Sequence, residues 1–319
     1  YMILTAANAG IHAVKFQTYK AETLASRYSP SYWDTSEEPT ASQYELFRKF
    51  DSFGADEYLE LSRFSTQVGV EFCSTPFDFT SADYLDTMMA VYKISSSDLT
   101  NLPFIEHIAK KGKPVLLSVG AANLDEIERA VSVIRTYNDC ELVLLHCVLE
   151  YPTPAAHANL AKIRSLREHF PDAYIGYSDH TKPDPDVIKT AYLMGANLVE
   201  KHFTVDKTLI GNDHYHAMDP HDAVEILQSI AHVEEILGSS VLAALPSESP
   251  ARENARRSIV ARVSIPAGTV ITMDMMSFKR PGTGISPARA AELVGRVSAV
   301  NIAEDTVLQE TMLENGGHT

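Results

Sequence analysis

The stretch IGYSDHT at residues 175–181 is followed, after a helical run, by VEKHFTVDKTLIGND at residues 199–213. Strand-like runs at 173–177 and 197–200 precede His180 and His202, and the amphipathic run 185–194 separates them. We predict two neighbouring parallel strands with a helical crossover, which would place both imidazoles at the same edge of a sheet. Either histidine alone would be interpreted as a packing or capping residue. The pair favours an open divalent-metal site, with polar neighbours at Ser178, Asp179, Lys201 and Asp213.

Strand-like and helical runs alternate along most of the chain. Strands are predicted at residues 13–16, 70–74, 91–95, 114–119, 142–147, 173–177 and 197–202, and helices at 55–67, 81–88, 102–111, 124–136, 157–169, 184–194 and 223–237. Alternation of this kind is typical of parallel βαβ units. The opening run, residues 1–10, is helical and needs a strand before it. We therefore expect an α/β fold, a (β/α)8 barrel of the TIM type whose first strand is missing from these residues.

A doubly wound open sheet is the alternative to the barrel. That fold usually has a glycine-rich turn after its first strand, and the sequence contains neither GxGxxG nor a phosphate-loop motif. The barrel is expected to occupy residues 1–240. A linker at 241–256 and a small, mostly β domain at 257–319 would follow, since short β-rich runs and Pro-Gly turns replace the helical periodicity there.

Composition and charge exclude several classes of partner. The 319 residues carry a net charge of −15 without a basic run, which argues against nucleic acid or an anionic membrane as a partner. No apolar stretch approaches the length of a membrane span, and there is no signal-like start. The odd number of cysteines, Cys73, Cys140 and Cys147, indicates reduced thiols. We expect a cytoplasmic protein.

Polar residues follow the predicted strands where a barrel of this type has its active site. Single serines and threonines there are most simply helix caps. Lys15 and Lys93 are different, because each lies in an apolar strand and a buried ammonium needs an anionic partner. No carboxylate near Lys15 in the sequence is an obvious partner, so a phosphate or carboxylate ligand is expected. Hydroxyls at Ser96, Ser118 and Ser178 would add hydrogen bonds, and a metal beside such a ligand suggests phosphoenolpyruvate or a phosphosugar.

Two further segments could reach this site. Residues 18–49 form a long connection that carries the only tryptophan, Trp33, with Tyr28, Tyr32 and Tyr44, which predicts an ordered lid or an oligomer contact. In the C-terminal domain, Lys279 and Arg280 precede a Pro-Gly turn, and an exposed arginine there suits carboxylates and hydroxyls.

An ordered set of motifs spans nearly the whole chain. It comprises AVKFQ (13–17), CSTPFD (73–78), YKISSSD (92–98), LLHCVLEYPTP (144–154), IGYSDHT (175–181), EKHFTVDK (200–207), GNDHYHAMDP (211–220), RRSIVA (256–261) and FKRPGTGIS (278–286). Together these resemble the N-acetylneuraminate (sialic acid) synthase family, whose members join a TIM barrel to a C-terminal antifreeze-like, or SAF, domain.

The resemblance implies a transferase that condenses phosphoenolpyruvate with the open-chain aldehyde of an N-acetylmannosamine-like sugar, giving a nonulosonic acid and phosphate. It implies that His180 and His202 hold Mn²⁺ or Mg²⁺, which polarises the aldehyde. Asp98 would lie near the reacting carbons, and Arg280 would enter the active site of the partner subunit in a domain-swapped homodimer. Residues matched to phosphoenolpyruvate are Lys15, Thr75, Lys93, Ser96, Ser118 and Ser178. Those matched to the sugar or the intermediate are Gln17, Tyr151 and Asp213.

Several positions depart from the family pattern. The first strand, with its sugar-binding residues, is absent here, Asp98 replaces a common Glu, Leu149 stands where some members have Asn, and Ser95 and Ser97 stand where Gly is common. These changes leave other acceptors open, such as a 6-phosphate or a 2,4-diacetamido-trideoxy hexose. A related 3-deoxy-octulosonate synthase, a metal-dependent aldolase and a non-catalytic binding barrel are alternatives of other kinds.

Overall fold

A computed structural model describes residues 1–33, 35, 38–211 and 213–314. The chain divides into two compact units, Tyr1–Gly238 and Ser239–Thr319. In the described part of the chain, no helix combines the length and apolar character needed to cross a bilayer. Cys73, Cys140 and Cys147 are all free thiols.

Seven parallel strands form the centre of the larger unit. They are β1 (Ala13–Thr18), β2 (Glu71–Pro76), β3 (Tyr92–Ile94), β4 (Val115–Ser118), β5 (Leu142–Cys147), β6 (Tyr174–Asp179) and β7 (Leu198–Lys201). β1 pairs with β2, and β3 to β7 pair in chain order, every neighbour parallel to the next. This is the alternating α/β barrel architecture expected from the sequence, with seven strands among the described residues.

Helices follow the strands, as the periodicity predicts. They are α1 (Met2–Asn8), α2 (Ala21–Leu24), α3 (Gln43–Phe50), α4 (Ala55–Val68), α5 (Phe79–Leu85), α6 (Leu102–Ala109), α7 (Leu124–Tyr137), α8 (Lys162–His169), α9 (Pro185–Met194) and α10 (Pro220–Leu237). The core lies between strands and helices. There Ile94, Leu117 and Leu144 are fully buried, together with Phe104 and Ile108 of α6.

The crossover α9, which positions the two histidines, has clear start and stop signals. Asp184 caps its N-terminus by accepting a hydrogen bond from the Asp186 N–H, and Pro185 occupies the first helical position, where no N–H is needed. Gly195 ends the helix with φ +107°, a left-handed conformation that glycine adopts without steric cost. The helix therefore delivers the chain directly into β7.

Some predicted boundaries were wrong. The helix predicted at 157–169 begins only at Lys162, because residues Ala155–His157 form a 3₁₀ turn and Asn159 has φ +47°. The last helix of the barrel unit starts at Pro220 rather than 223, since Asp219 forms a capping box with Asp222. The long connection 18–49 contains α2 and the start of α3.

The smaller unit is mostly β and irregular. Its elements are α11 (Ser249–Asn254), β8 (Ser258–Ala261), β9 (Met276–Lys279) and α12 (Ala290–Leu293), with β8 and β9 antiparallel. Isolated bridges such as Val260 to Val307 and Ile265 to Ile302 extend the pairing. Ile259, Ile271 and Leu293 form a separate apolar core.

Candidate active site

A cavity of about 510 Å³ lies at the carboxyl ends of the parallel strands. It collects side chains from β1 to β7, because every parallel strand ends at this same rim. The residues predicted from the sequence that line it are Lys15, Gln17, Thr75, Lys93, Ser96, Ser118, Tyr151, Ser178, His180, His202 and Asp213.

The two histidines lie close together at one side of the cavity. The ring centroids of His180 and His202 are 5.3 Å apart. His180 Nδ1 lies 2.7 Å from the Val148 carbonyl oxygen, which can only accept, so Nδ1 carries the proton and Nε2 keeps a lone pair. His202 Nδ1 lies 3.4 Å from Asp213 Oδ2. Backbone carbonyl and carboxylate partners behind the ring are typical of metal-binding histidines.

The electrostatics of the pair also suit a cation. Burial, together with the neighbouring His202, lowers the pKa of His180 to about 4, so its imidazole is neutral at physiological pH. Partial burial opposes ionisation of Asp213, but the neighbouring imidazoles of His202 and His216 hold its pKa well below the ordinary value. A neutral imidazole and an ionised carboxylate are the protonation states in which such groups ligate or support a metal.

Tyr151 covers the histidines. Its ring centroid is 4.2 Å from that of His180 and 6.1 Å from that of His202. Burial raises the pKa of Tyr151 well above its ordinary value, so the phenol remains a hydrogen-bond donor.

Lys15 and Lys93 share one carboxylate, Glu200 on β7. The Lys15 Nζ is 3.9 Å from Glu200 Oε1, and the Lys93 Nζ is 3.8 Å from Glu200 Oε2. Ser178 Oγ donates to Glu200 Oε1 at 3.2 Å. Burial raises the pKa of Glu200, but the two lysines lower it more strongly, to about 2. No carboxylate near Lys15 in sequence was an obvious partner, and the one found, Glu200, is far from Lys15 in sequence and is brought to it only by the folded barrel.

Hydroxyl groups complete the anion-binding side of the cavity. Thr75 Oγ1 and Ser118 Oγ are buried and find no hydrogen-bond partner among the described residues. Ser96 Oγ accepts a hydrogen bond of 2.9 Å from the Gly120 N–H. A buried hydroxyl without a partner costs about 1–3 kcal/mol, which a bound anion would relieve. Lysines and unpaired hydroxyls therefore fit a phosphate or carboxylate ligand.

Two predicted residues are not found in the cavity wall. Asp98 is the last residue of the 3₁₀ turn Ser96–Asp98, and with three residues per turn it points to a different side from Ser96. Its Oδ1 accepts a hydrogen bond from Asn101 Nδ2 at 3.1 Å, and burial raises its pKa. Asp98 therefore does not line the cavity in this structure, its Oδ2 is buried without a hydrogen-bond partner among the described residues, and its place near the reacting carbons stays a prediction. Arg280 belongs to the smaller unit, directly after β9.

The long connection supplies the outer wall. Tyr19, Tyr32, Trp33 and Phe47 all line the cavity, and the Trp33 Nε1–H donates to the Glu38 carbonyl oxygen at 3.0 Å. Of the aromatic residues that suggested a lid or an oligomer contact, Tyr32 and Trp33 line the cavity, whereas Tyr28 is 93% exposed and Tyr44 is not part of the cavity wall.

Sequence reasoning missed a buried ion pair beneath the histidines. Lys201 Nζ lies 2.5 Å from Asp179 Oδ2, and the two side chains are 3% and 0% exposed. Asp179 also accepts from the Tyr177 hydroxyl at 2.9 Å and from the Thr181 N–H at 2.8 Å. The signal was present in the sequence, because each partner directly precedes one of the two histidines.

A cluster of potential metal ligands elsewhere has a simpler explanation. Asp219, His221 and Asp222 place ligand atoms within 4.8 Å of one another. Asp219 and Asp222 form the capping box of α10, and Lys207 Nζ already pairs with them at 3.2 and 2.5 Å. These carboxylates are therefore structural.

The fold and site define a class of protein: a parallel α/β barrel whose strand ends place two lysines and unpaired hydroxyls in one cavity with a pair of adjacent imidazoles. Comparison with known proteins specifies the class further. Residues 2–242 match the NeuB family and residues 256–314 match the SAF domain. The chain belongs to the NeuB family.

Several of its relatives are named as synthases of nine-carbon sugar acids. The N,N'-diacetyllegionaminic acid synthase of Legionella pneumophila is 36% identical over 96% of this chain and 87% of its own length. The human N-acetylneuraminate-9-phosphate synthase is 32% identical over 99% of this chain and 88% of its own. The crystal structure of the N-acetylneuraminic acid synthetase from Leptospira borgpetersenii, in complex with citrate, is 34% identical, with a TM-score of 0.68 over 78% of this chain and 82% of that one.

Proposed function

We propose that this protein condenses phosphoenolpyruvate with the aldehyde of N-acetylmannosamine or a related amino sugar, giving a nonulosonic acid and phosphate. The observation that carries the proposal is the joint presence, in one cavity, of a lysine pair with unpaired hydroxyls and of two adjacent imidazoles. One set suits a phosphate and a carboxylate, and the other suits a cation that activates a carbonyl. The names of the relatives support the same chemistry.

The anion-binding residues would hold phosphoenolpyruvate. Lys15 and Lys93 supply positive charge, and Thr75 and Ser118 supply the hydroxyls that lack partners in the described structure. Ser96 and Ser178 lie beside them in the cavity wall. These donors would fix phosphoenolpyruvate with its C3 towards the histidine side, and fixed geometry of this kind is itself a large contribution to the rate.

The histidine side would hold the acceptor. His180 and His202 would bind a divalent cation, Mn²⁺ or Mg²⁺, which when bound polarises the aldehyde oxygen as a Lewis acid. Tyr151 is a protonated donor beside the histidines, and Asp213 and Gln17 lie in the same wall. We assign these three residues to the sugar hydroxyls or the intermediate. The aromatic side chains of the long connection would exclude water from the bound pair.

Further parts of the proposal concern assembly and location. We propose a domain-swapped homodimer in which Arg280 of one subunit contacts the carboxylate or hydroxyls of the ligand in the other. We also propose a cytoplasmic location, which fits three free cysteines.

Phosphate release from phosphoenolpyruvate tests the function. The assay would contain Mn²⁺ and one of three acceptors: N-acetylmannosamine, its 6-phosphate or a 2,4-diacetamido-trideoxy hexose. We expect release with one acceptor, lost in His180→Ala and retained in His232→Ala, which removes an exposed histidine of α10. If no acceptor supported release above the rate with phosphoenolpyruvate alone, the proposed reaction would be refuted.

A further inference from the structure

A third imidazole, His216, lies next to the histidine pair. It ends the 3₁₀ turn His214–His216 and is 1% exposed. Its ring centroid is 5.6 Å from that of His202 and 6.4 Å from that of Tyr151. Among the described residues, His180, His202 and His216 do not bring three ligand atoms within 4.8 Å of one another. We therefore treat His216 as a neighbour of the cation site rather than as a third ligand in it.

His216 Nε2 is a buried nitrogen without a hydrogen-bond partner among the described residues. An unmade buried hydrogen bond is unfavourable. The acceptor within reach is Asp213 Oδ1, 3.5 Å away. A movement of about half an ångström would make this a normal hydrogen bond.

Asp213 stands between two imidazoles. Its Oδ1 faces His216 and its Oδ2 faces His202 Nδ1 at 3.4 Å, while 55% of its side chain is exposed. A carboxylate this exposed could rotate into solvent, and a donor fixed in the core would prevent it. Asp213 thus links the side chain of His216 to that of His202.

We propose that His216 is a positioning residue: it holds Asp213 against Nδ1 of His202, which keeps the proton on Nδ1 and leaves Nε2 of His202 free to bind a divalent cation. The inference rests on the proposed function for the identity of the cation. Carboxylates that orient a metal-binding histidine typically change metal affinity by about 10- to 100-fold when they are lost. His216 would act one step further out, by fixing that carboxylate.

Mn²⁺ binding to the protein without substrates tests this directly, with free Mn²⁺ measured by electron paramagnetic resonance. His216→Leu keeps a similar volume but removes the donor, and we expect about 10-fold weaker binding. His216→Gln restores an N–H donor and should stay within about 3-fold of the wild type. His232→Ala is the control for the loss of a histidine. In Asp213→Asn, the further change His216→Leu should add little, because the link is already broken.

Steady-state turnover separates the two roles assigned to Asp213, which are the orientation of His202 for Mn²⁺ and the binding of the sugar. At saturating Mn²⁺, His216→Leu should recover most of kcat, whereas the KM for the sugar stays raised because Asp213 is assigned to the acceptor. His216→Leu binding Mn²⁺ as tightly as the wild type would overturn the inference, as would His216→Gln binding as weakly as His216→Leu. If His216→Leu does not fold, His216→Gln and Asp213→Asn still decide it: equal Mn²⁺ affinity in Asp213→Asn and the wild type overturns it.

The outcomes also separate this inference from the proposed reaction. A wild type that binds Mn²⁺ in a His216-dependent way but releases no phosphate would refute the reaction and keep the positioning role. If the wild type turns over and His216→Leu has the same Mn²⁺ affinity as the wild type, the reaction is supported and the positioning role of His216 is refuted. A wild type that binds no Mn²⁺ overturns both.

Discussion

The buried pair of Asp179 and Lys201 makes a sharp prediction about stability. Lys201→Met keeps most of the aliphatic side chain and removes the ammonium. Asp179 then remains as a buried carboxylate without its cation, and the Thr181 carbonyl oxygen loses its 2.6 Å hydrogen bond from Lys201 Nζ. The two side chains are 0% and 3% exposed, so water cannot replace the lost partner.

The size of the effect follows from this geometry. Removing one partner of a buried ion pair typically costs about 3–5 kcal/mol. The remaining hydrogen bonds from Tyr177 and Thr181 still stabilise the buried Asp179 carboxylate, which favours the lower part of that range. For a unit the size of Tyr1–Gly238, each kcal/mol shifts the melting temperature by about 2–4 °C, so a loss of about 3 kcal/mol in Lys201→Met should lower the melting temperature by about 6–12 °C.

The single tryptophan provides a probe specific to the barrel unit, because Trp33 lies in it. Thermal unfolding followed by tryptophan fluorescence would be compared with circular dichroism, which reports both units. The double variant Asp179→Asn, Lys201→Met removes both charges and should regain much of the loss. A melting temperature for Lys201→Met within about 2 °C of the wild type would show that the pair contributes nothing to the fold and refute the reasoning.

Two further predictions concern packing and pH. Gly176→Ala would place a Cβ 2.4 Å from Leu145 Cδ2 and 2.7 Å from the Leu198 carbonyl oxygen. This overpacking should lower the free energy of unfolding by about 1–3 kcal/mol, as measured by urea denaturation. An unchanged urea midpoint would contradict the prediction. Folding lowers the pKa of His180 from 6.5 to about 4. Between these two pH values the unfolded chain therefore binds a proton at His180 that the folded protein does not bind. Metal-free protein should therefore lose about 3 kcal/mol as the pH falls from about 6.5 to 4, with no further loss from this group below that. His180→Phe should flatten the slope, and an equal slope in both proteins would exclude His180 as its source.

Much of the fold could be read from hydrophobic patterning. β5 was predicted at residues 142–147 and is found at Leu142–Cys147, because a buried parallel strand is a mainly apolar run, which here begins directly after Glu141. The Asp184 cap and Pro185 of α9 likewise depend only on local chemistry. The approach of His180 to His202 followed from one topological rule, that a crossover returns the chain to the same sheet edge.

What sequence reasoning missed depends on contacts between distant residues or on the local path of loops. The contact of Glu200 with Lys15 was not predicted, since the distance between them is set by the curvature of the barrel rather than by any local pattern. His216 and Asp98 lie in 3₁₀ turns, where a shift of one residue changes the direction of a side chain by a third of a turn. Neither orientation is encoded in hydrophobic periodicity.

The shared carboxylate of Lys15 and Lys93 has a consequence for how the cavity receives an anion. Burial lowers the pKa of Lys93, and the ionised Glu200 offsets part of the positive charge of Lys15 and Lys93, so an arriving anion meets a lysine pair that is already partly neutralised. Glu200 acts as a built-in substitute for the ligand: it keeps two long side chains extended towards one point and reduces the entropy lost when they are ordered. Anion binding here should consequently depend less on ionic strength than binding to two unpaired lysines would. Selectivity would come from competition between the bound anion and the Glu200 carboxylate for the two lysines, and not from charge attraction alone.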